Sequence, residues 1–138
     1  MYGWREKVLR VDLSRGKISE EKLDPQVCKD YIGGRGVGMY YLLREVNPLC
    51  DPLSKENTMF MVAGPLTGTS APTGGRYMVM TKSPLTGAVT CSNSGGFFPA
   101  EMNSFSPGSG GKVDRRSCPG AWLKGATGKM RAKHLENA

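Results

Sequence analysis

Residues 58–91 read TMFMVAGPLTGTSAPTGGRYMVMTKSPLTGAVTC. This stretch contains three short apolar runs bounded by turn residues, namely Thr58 to Ala63, Tyr77 to Thr81 and Ala88 to Cys91. Such runs are typical of buried strands. The stretch therefore predicts three strands that are joined by glycine-rich turns.

The chain that precedes this stretch predicts a hairpin. Leu9, Val11 and Leu13 alternate with charged residues, which is the pattern of a half-buried strand. Residues 14–17 (SRGK) supply a turn, and Ile18 to Leu23 can return as the partner strand.

Two helices are predicted between the hairpin and the three strands. Asp24-Pro25 is typical of a helix N-cap followed by proline at the first helical position, and Gly33-Gly34 ends this helix. The second helix covers Val37 to Val46 and ends before Asn47-Pro48. Because strands and helices follow each other in mixed order, an α+β fold is favoured over a doubly wound parallel sheet.

The charge of the chain is concentrated near its C-terminus. The 138 residues carry a formal net charge of +7, yet residues 1–102 hold 12 basic and 10 acidic side chains. A nucleic-acid interface would therefore depend on residues 103–138, where only Phe105 and Trp122 offer aromatic rings, so nucleic acid is disfavoured as a partner. No apolar run approaches the ~20 residues of a membrane span and no signal-peptide pattern opens the chain. We therefore expect a cytoplasmic protein without a membrane partner.

The sequence offers no catalytic group and no local metal-cluster ligands. Its four cysteines are far apart and form no C-x-x-C pair, so we expect neither a zinc site nor an iron–sulfur cluster in this chain. His134 is the only histidine, and no arrangement for nucleophilic catalysis can be built around it.

An internal repeat marks the most informative segment. Pro65 to Gly68 (PLTG) recurs as Pro84 to Gly87, and each copy is followed by a glycine pair, Gly74-Gly75 or Gly95-Gly96. Two similar loops on neighbouring strands could face a common ligand. The alternative is that PLTG is a good turn that is used twice.

The glycines of this segment suggest an anion site. Glycine lets the backbone approach a ligand closely, and exposed backbone N–H groups can bind anions. Arg76 offers a planar set of donors suited to phosphate, and Asn93 offers an amide oxygen that could bind magnesium. The glycine cluster at residues 33–38 (GGRGVG) is instead interpreted as a tight turn between the two helices. The residues alone thus indicate a phosphate-bearing ligand with a divalent cation.

Five blocks resemble the N-terminal domain of the aldehyde ferredoxin oxidoreductase family. These are Met1 to Trp4, Tyr31 to Gly36, Asp51 to Asn57, Ala63 to Tyr77 and Thr81 to Gly87. The resemblance implies an oxidoreductase that converts aldehydes to carboxylic acids, passes electrons to ferredoxin and can form a homo-oligomer. It further implies tungsten held by two pterins (tungstopterin), with magnesium bridging the pterin phosphates. The family also carries a 4Fe-4S cluster, whose cysteine ligands have no counterpart here.

The resemblance also implies a fold and a set of site residues. The fold consists of two twisted, mainly antiparallel β-sheets related by a pseudo-twofold, with short helices. Arg76 matches a position that contacts the pterin, and Asn93 one that meets the phosphate-bound magnesium. Gly95 and the neighbouring Ser94 match the adjacent backbone contacts.

The resemblance covers residues 1–102, which we take as a pterin-binding domain that is incomplete at its C-terminus. Residues 103–138 form a basic, Gly/Ser-rich segment without a family match, which we expect to be poorly ordered. Pro99 also stands where the family usually has a small residue at the start of a helix. We expect a truncated or frameshifted family member, with a natural short paralogue as the alternative. A non-enzymatic module that binds pterin or phosphate is the competing function.

Overall fold

The computed structural model describes residues 7–104 and 120–124, which contain six strands and three helices. In chain order they are β1 (Lys7–Asp12), β2 (Lys17–Lys22), α1 (Pro25–Tyr31), α2 (Gly34–Glu45), β3 (Thr58–Ala63), β4 (Arg76–Lys82), β5 (Val89–Gly95), α3 (Phe98–Ser104) and β6 (Gly120–Lys124). The predicted hairpin, both predicted helices and all three predicted strands are present, so the α+β class is confirmed.

The strands pair mainly in antiparallel fashion, as predicted. One antiparallel group consists of β1 and β2, and the other of β3, β4 and β5. β6 lies between the two groups, parallel to β1 and antiparallel to β3. It joins them into one six-stranded sheet of order β2-β1-β6-β3-β4-β5.

Strand β6 was not predicted from the sequence. Gly120–Lys124 lies in the segment that was expected to be poorly ordered, and it pairs along its whole length with β1 on one side and with β3 on the other. A run of five residues is too short to show a period, and its pairing comes from strands that are about 60 to 110 positions away in sequence. For residues 105–119 and 125–138, the same expectation lies outside the described residues.

Helix α1 begins as the sequence predicts. The Asp24 side chain accepts a hydrogen bond from the Gln26 backbone N–H at 2.8 Å, and Pro25 occupies the first helical position. The helix ends at Ile32, whose backbone has a positive φ of 63° and whose N–H donates to the Cys28 carbonyl at 2.9 Å. None of the described helices is long and apolar enough to cross a membrane.

The interpretation of residues 33–38 as a turn was wrong, because helix α2 already begins at Gly34. Its glycines serve close packing. A Cβ atom on Gly36 would overlap the Tyr31 carbonyl oxygen at the end of α1, and a Cβ atom on Gly38 would lie 2.6 Å from the Met80 sulfur in the sheet. The cluster therefore lets one helix approach both α1 and the sheet.

Helices α1 and α2 cover one face of the sheet and enclose the core there. Eleven buried residues form this core: Val8, Leu23, Val27, Cys28, Val37, Leu42, Val46, Cys50, Phe60, Val62 and Met80. Helix α3 is associated with the opposite face, where Tyr77 and Phe98 bring their ring centroids to 5.0 Å. Pro99 is buried at the start of α3, a position that suits proline because the first-turn N–H groups have no partner within the helix.

An ion-pair cluster links α2 to the hairpin of β1 and β2. Arg10 of β1 donates two hydrogen bonds to the Glu45 carboxylate, at 2.8 and 2.7 Å, and also pairs with Glu21 of β2. The hydrogen bonds to Glu45 raise the pKa of Arg10 above its usual range. The guanidinium thus stays charged and links two strands with the end of a helix.

Candidate functional site

The two glycine pairs of the internal repeat meet at one end of the β4–β5 hairpin. Arg76, the first residue of β4, lies opposite Gly95, the last residue of β5. An open cavity of about 380 Å³ lies there, lined by Thr73, Gly75, Arg76, Gly95 and Gly96. The structure therefore brings together glycines that are about 20 residues apart in sequence.

The backbone segments approach each other closely at this end. A Cβ atom on Gly75 would lie 3.3 Å from the Gly96 carbonyl oxygen, and one on Gly95 would lie 3.3 Å from the Gly75 carbonyl oxygen. Gly96 has a φ of 98°, which L side chains rarely adopt. Thr73 also has a positive φ, 62°, and such conformations in β-branched residues concentrate at ligand-binding loops.

Strand β5 is longer than predicted. Its predicted end was Cys91, whereas the structure continues it to Gly95, so Asn93 and Ser94 lie in a strand and not in a loop. The polar run from Ser92 to Ser94 gives no apolar alternation, and its strand conformation comes from pairing with β4. The predicted site thus has a regular backbone.

The pairing register shows which side chains share a face. Asn93 lies opposite Met78, so Asn93, Met78 and Arg76 point to the same side of the sheet as the helices. Ser94 lies opposite Tyr77 and points to the other side. Of the four predicted site residues, Arg76, Asn93 and Gly95 are therefore brought together, and the Ser94 side chain is not.

The side chains of Arg76 and Asn93 are both exposed. Within residues 7–104, neither of them forms a hydrogen bond or an ion pair. A guanidinium and an amide thus lie diagonally across β4 and β5 on one face, next to the backbone of Gly95. This combination can donate to an anion and offer one neutral oxygen to a cation.

The two PLTG copies do not face a common ligand. The first follows β3 and lies at the Arg76 end of β4, whereas the second connects β4 to β5 at the opposite end. In the second copy the Ser83 hydroxyl accepts hydrogen bonds from Leu85 and Thr86, and Gly87 has a positive φ of 68°. The common-ligand hypothesis was wrong, and the second copy is a hairpin turn.

The first PLTG copy positions Arg76. The Thr67 side chain is buried and its hydroxyl donates to the Arg76 carbonyl oxygen at 3.3 Å. Gly74 closes the same loop, since a Cβ atom there would lie 2.8 Å from the Leu66 carbonyl oxygen. Thr67 was not predicted as a site residue, because the identical residue in the second copy has no such contact and nothing in the local sequence distinguishes the two.

Known proteins share the sequence of the region that contains this site. The family described as "Aldehyde ferredoxin oxidoreductase, N-terminal domain" matches residues 8–106. The tungsten-containing aldehyde ferredoxin oxidoreductases of Pyrococcus horikoshii and Thermococcus kodakarensis are 56% and 52% identical over 102 residues, which is 74% of this chain and 17% of each relative. The chain thus spans about a sixth of the length of these curated relatives.

Two further proteins share the same region. The WOR-like subunit of an aliphatic sulfonate oxidoreductase from Pyrococcus furiosus is 40% identical over 87 residues, 61% of this chain and 14% of that protein. The solved structure titled "Active site complex BamBC of Benzoyl Coenzyme A reductase in complex with 1,5 Dienoyl-CoA" superposes with a TM-score of 0.78 and 31% identity, over 90% of this chain and 17% of that one. The family match covers most of the chain and the fold agrees with it. This chain belongs to the aldehyde ferredoxin oxidoreductase N-terminal domain family.

Proposed function

We propose that this chain is the cofactor-binding portion of a tungsten-containing aldehyde ferredoxin oxidoreductase and holds the phosphate part of a tungstopterin at the Arg76 end of β4. The observation that carries the proposal is the pairing of Arg76 with Gly95, with Asn93 on the same face and no protein partner for either side chain among the described residues. Charged and polar groups left free beside glycine backbone are what a phosphate ligand requires.

The residues present fit such a cofactor. A Cβ atom on Gly75 or Gly95 would crowd a neighbouring backbone carbonyl oxygen at 3.3 Å, so glycine at both positions keeps this end of the hairpin free of side chains. Arg76 would donate a planar pair of hydrogen bonds to phosphate oxygens, and Asn93 would place its amide oxygen on the bridging magnesium. Magnesium retains waters readily, so phosphates and waters would complete its shell.

We propose that Ser94 does not make the backbone contact with the cofactor that the family resemblance implies. Ser83 N–H donates to the Ala88 carbonyl at 2.8 Å, which fixes the alternation of the β4–β5 ladder and directs the Ser94 backbone towards Tyr77. Ser94 would therefore separate Asn93 and Gly95 along the strand and place both on one face, while contact with the cofactor would fall to its two neighbours.

The overall reaction would belong to a longer assembly. The names of the relatives refer to an aldehyde, a sulfonate and a coenzyme A thioester, although all of them contain this region. A domain shared across different substrates suits a common cofactor better than substrate selection. When bound, tungstopterin would supply the oxidation chemistry, while the aldehyde pocket, the 4Fe-4S cluster and the contact with ferredoxin would lie outside this chain.

A non-enzymatic module that binds pterin or phosphate is the second candidate. It is favoured by the fact that the arginine, the amide and the glycine backbone are all contributed by this one chain. Such a module would bind the cofactor reversibly and show no aldehyde oxidation when loaded with it.

The test is a calorimetric titration of the isolated pterin cofactor into the chain, with and without magnesium. Arg76→Lys should weaken binding about tenfold, because an ammonium cannot reproduce the two parallel hydrogen bonds to phosphate. Asn93→Ala should weaken binding only when magnesium is present. Arg15→Lys is the matched control, since Arg15 is an exposed arginine in the β1–β2 turn, away from the site. Equal affinity in all variants would refute the proposed site.

Thr67 gives a separate prediction, because its hydroxyl acts on Arg76 from within the loop. Thr67→Val should lower the free energy of unfolding by about 1 kcal/mol and weaken cofactor binding several-fold, since the start of β4 would lose a fixed contact. Thr86→Val, at the equivalent position of the second PLTG copy, should change cofactor binding little. Chemical denaturation and the same titration check both effects, and similar losses of binding in the two variants would contradict a positioning role for Thr67.

A further inference from the structure

Arg35 lies within the glycine cluster at residues 33–38, in the first turn of α2. Close packing explains the glycines around it, but Arg35 itself is exposed and forms no hydrogen bond or ion pair with the other described residues. A guanidinium is always charged, carries five N–H donors and favours an anionic partner. The described part of the fold does not supply one.

The start of α2 lies over the end of the sheet that carries Arg76. A Cβ atom on Gly33 would lie 3.0 Å from the Pro65 side chain, in the loop that leads from β3 towards Arg76. A Cβ atom on Gly34 would lie 3.9 Å from the side chain of Met78, which shares a face of the sheet with Arg76. The first turn of α2 is therefore at the same end and on the same face as the proposed cofactor site.

Arg35 lies on the flank of α2 that is nearer to β5. On the other flank Tyr40 packs against Tyr31 of α1, with ring centroids 4.9 Å apart. Residues 35 and 40 are separated by about 140° around a helix with 3.6 residues per turn. Helix α1 follows directly after β2, at the far edge of the sheet, whereas α2 packs on β3 and β4. The flank away from α1 is thus the one on the side of Asn93.

The charges of the surrounding elements select an anion as the occupant. No acidic residue occurs in the first turn of α2, and none occurs in β4 or β5. Arg35 and Arg76 therefore have no counterion on the elements that carry them. The positive end of the α2 dipole adds to the potential of the two arginines.

We infer that Arg35 is a second phosphate-binding arginine, which contacts the ligand from α2 while Arg76 contacts it from β4. The inference rests on the proposed function and names a further binding residue at the same site. Two guanidinium groups on separate elements can each donate a pair of parallel hydrogen bonds to a phosphate. They therefore favour a ligand with two linked phosphate groups over a singly charged anion.

Calorimetric titration of inorganic pyrophosphate into the full chain, with magnesium present, tests this inference. Arg35→Gln and Arg76→Gln should each weaken binding about tenfold, because each removes one charged contact to phosphate. Arg44→Gln is the matched control and should leave the affinity unchanged. Arg44 is an exposed arginine of the same helix, about 13 Å from Arg35 along the axis, and lies over the Tyr40 ring.

Thermal denaturation separates a ligand contact from a structural role. Since Arg35 contacts no described residue through its guanidinium, Arg35→Gln should not lower the melting temperature in the absence of pyrophosphate. It should reduce the rise in melting temperature that pyrophosphate produces, because that rise follows the affinity. A melting temperature that falls without pyrophosphate would mean that Arg35 supports the fold, and would overturn the inference.

The titrations also separate this inference from the proposed function. If Arg76→Gln weakens binding and Arg35→Gln does not, the inference is overturned and the proposed cofactor site stands. If neither variant weakens binding, or if the unsubstituted chain does not bind pyrophosphate, both are overturned. Binding that depends on Arg35 but not on Arg76 would place the anion at the helix alone, and would also overturn both.

Discussion

Replacing Asn57 by leucine is expected to lower the free energy of unfolding by about 3 kcal/mol. Asn57 is only 1% exposed, and its side-chain amide donates to the carbonyl oxygens of Pro52 and Lys82, at 2.7 and 3.1 Å. Its side-chain oxygen accepts from the Thr81 hydroxyl at 3.3 Å and from the Lys82 N–H at 3.4 Å. Leucine has a similar volume but would leave these part-buried groups without the partner that Asn57 provides.

Urea denaturation followed by circular dichroism measures this loss. Asn47→Leu is the matched control, because Asn47 is exposed and its side-chain oxygen accepts a single hydrogen bond, from the Leu49 N–H. We expect the control to lose less than about 1 kcal/mol. Equal losses at the two positions would mean that burial of the Asn57 amide does not contribute to stability.

Replacing Gly36 by alanine is expected to lower the free energy of unfolding by about 2 to 3 kcal/mol, even though alanine is the better helix former. The added Cβ would overlap the Tyr31 carbonyl oxygen, which also accepts the Gly33 N–H at 2.6 Å. A backbone oxygen at the end of one helix cannot move without displacing the other helix. Gly38→Ala should cost less, because the Met80 side chain that it meets can change its rotamer.

Thermal denaturation of three variants separates crowding from the general effect of a Gly→Ala change. Gly64→Ala is the control, since its Cβ would find nothing closer than the Thr67 hydroxyl oxygen at 4.0 Å and its φ is not positive. The expected order of melting temperatures is Gly64→Ala highest, then Gly38→Ala, then Gly36→Ala. A Gly36→Ala protein as stable as the Gly64→Ala protein would show that the two helices do not pack as described.

Elements with a local signal were predicted well from the sequence. β3 was predicted at its observed limits, because its apolar run is bounded by turn residues on both sides. The start of α1 was also correct, since Asp24 and Pro25 determine it within two positions. In both cases the information lies within a few residues of the feature.

Elements that depend on distant contacts were predicted poorly. The glycines of α2 resemble a turn in sequence, and only the proximity of Tyr31 and Met80 explains why a helix carries them. The polar end of β5 and the whole of β6 are strands because neighbouring strands pair with them. Pairing partners far away in sequence leave no periodic trace in the segment itself.

The candidate site shows the same division. Arg76 and Asn93 could be proposed from residue chemistry and from the family resemblance, and they lie on one face of the sheet. The contact from Thr67 could not be found in this way, because Thr67 and Thr86 occupy identical sequence contexts and differ only in what surrounds them after folding.

The polar contacts at the two ends of β4 also disfavour a shift in the pairing register of this strand. Thr67 holds the Arg76 carbonyl at one end, and Asn57 holds both backbone groups of Lys82 at the other. Moving a strand by one residue exchanges its two faces, so a slipped β4 would carry Arg76 to the side of Ser94, away from Asn93. The buried side chains of Thr67 and Asn57 would thus determine on which face of the sheet Arg76 can bind a phosphate, although neither would contact the phosphate itself.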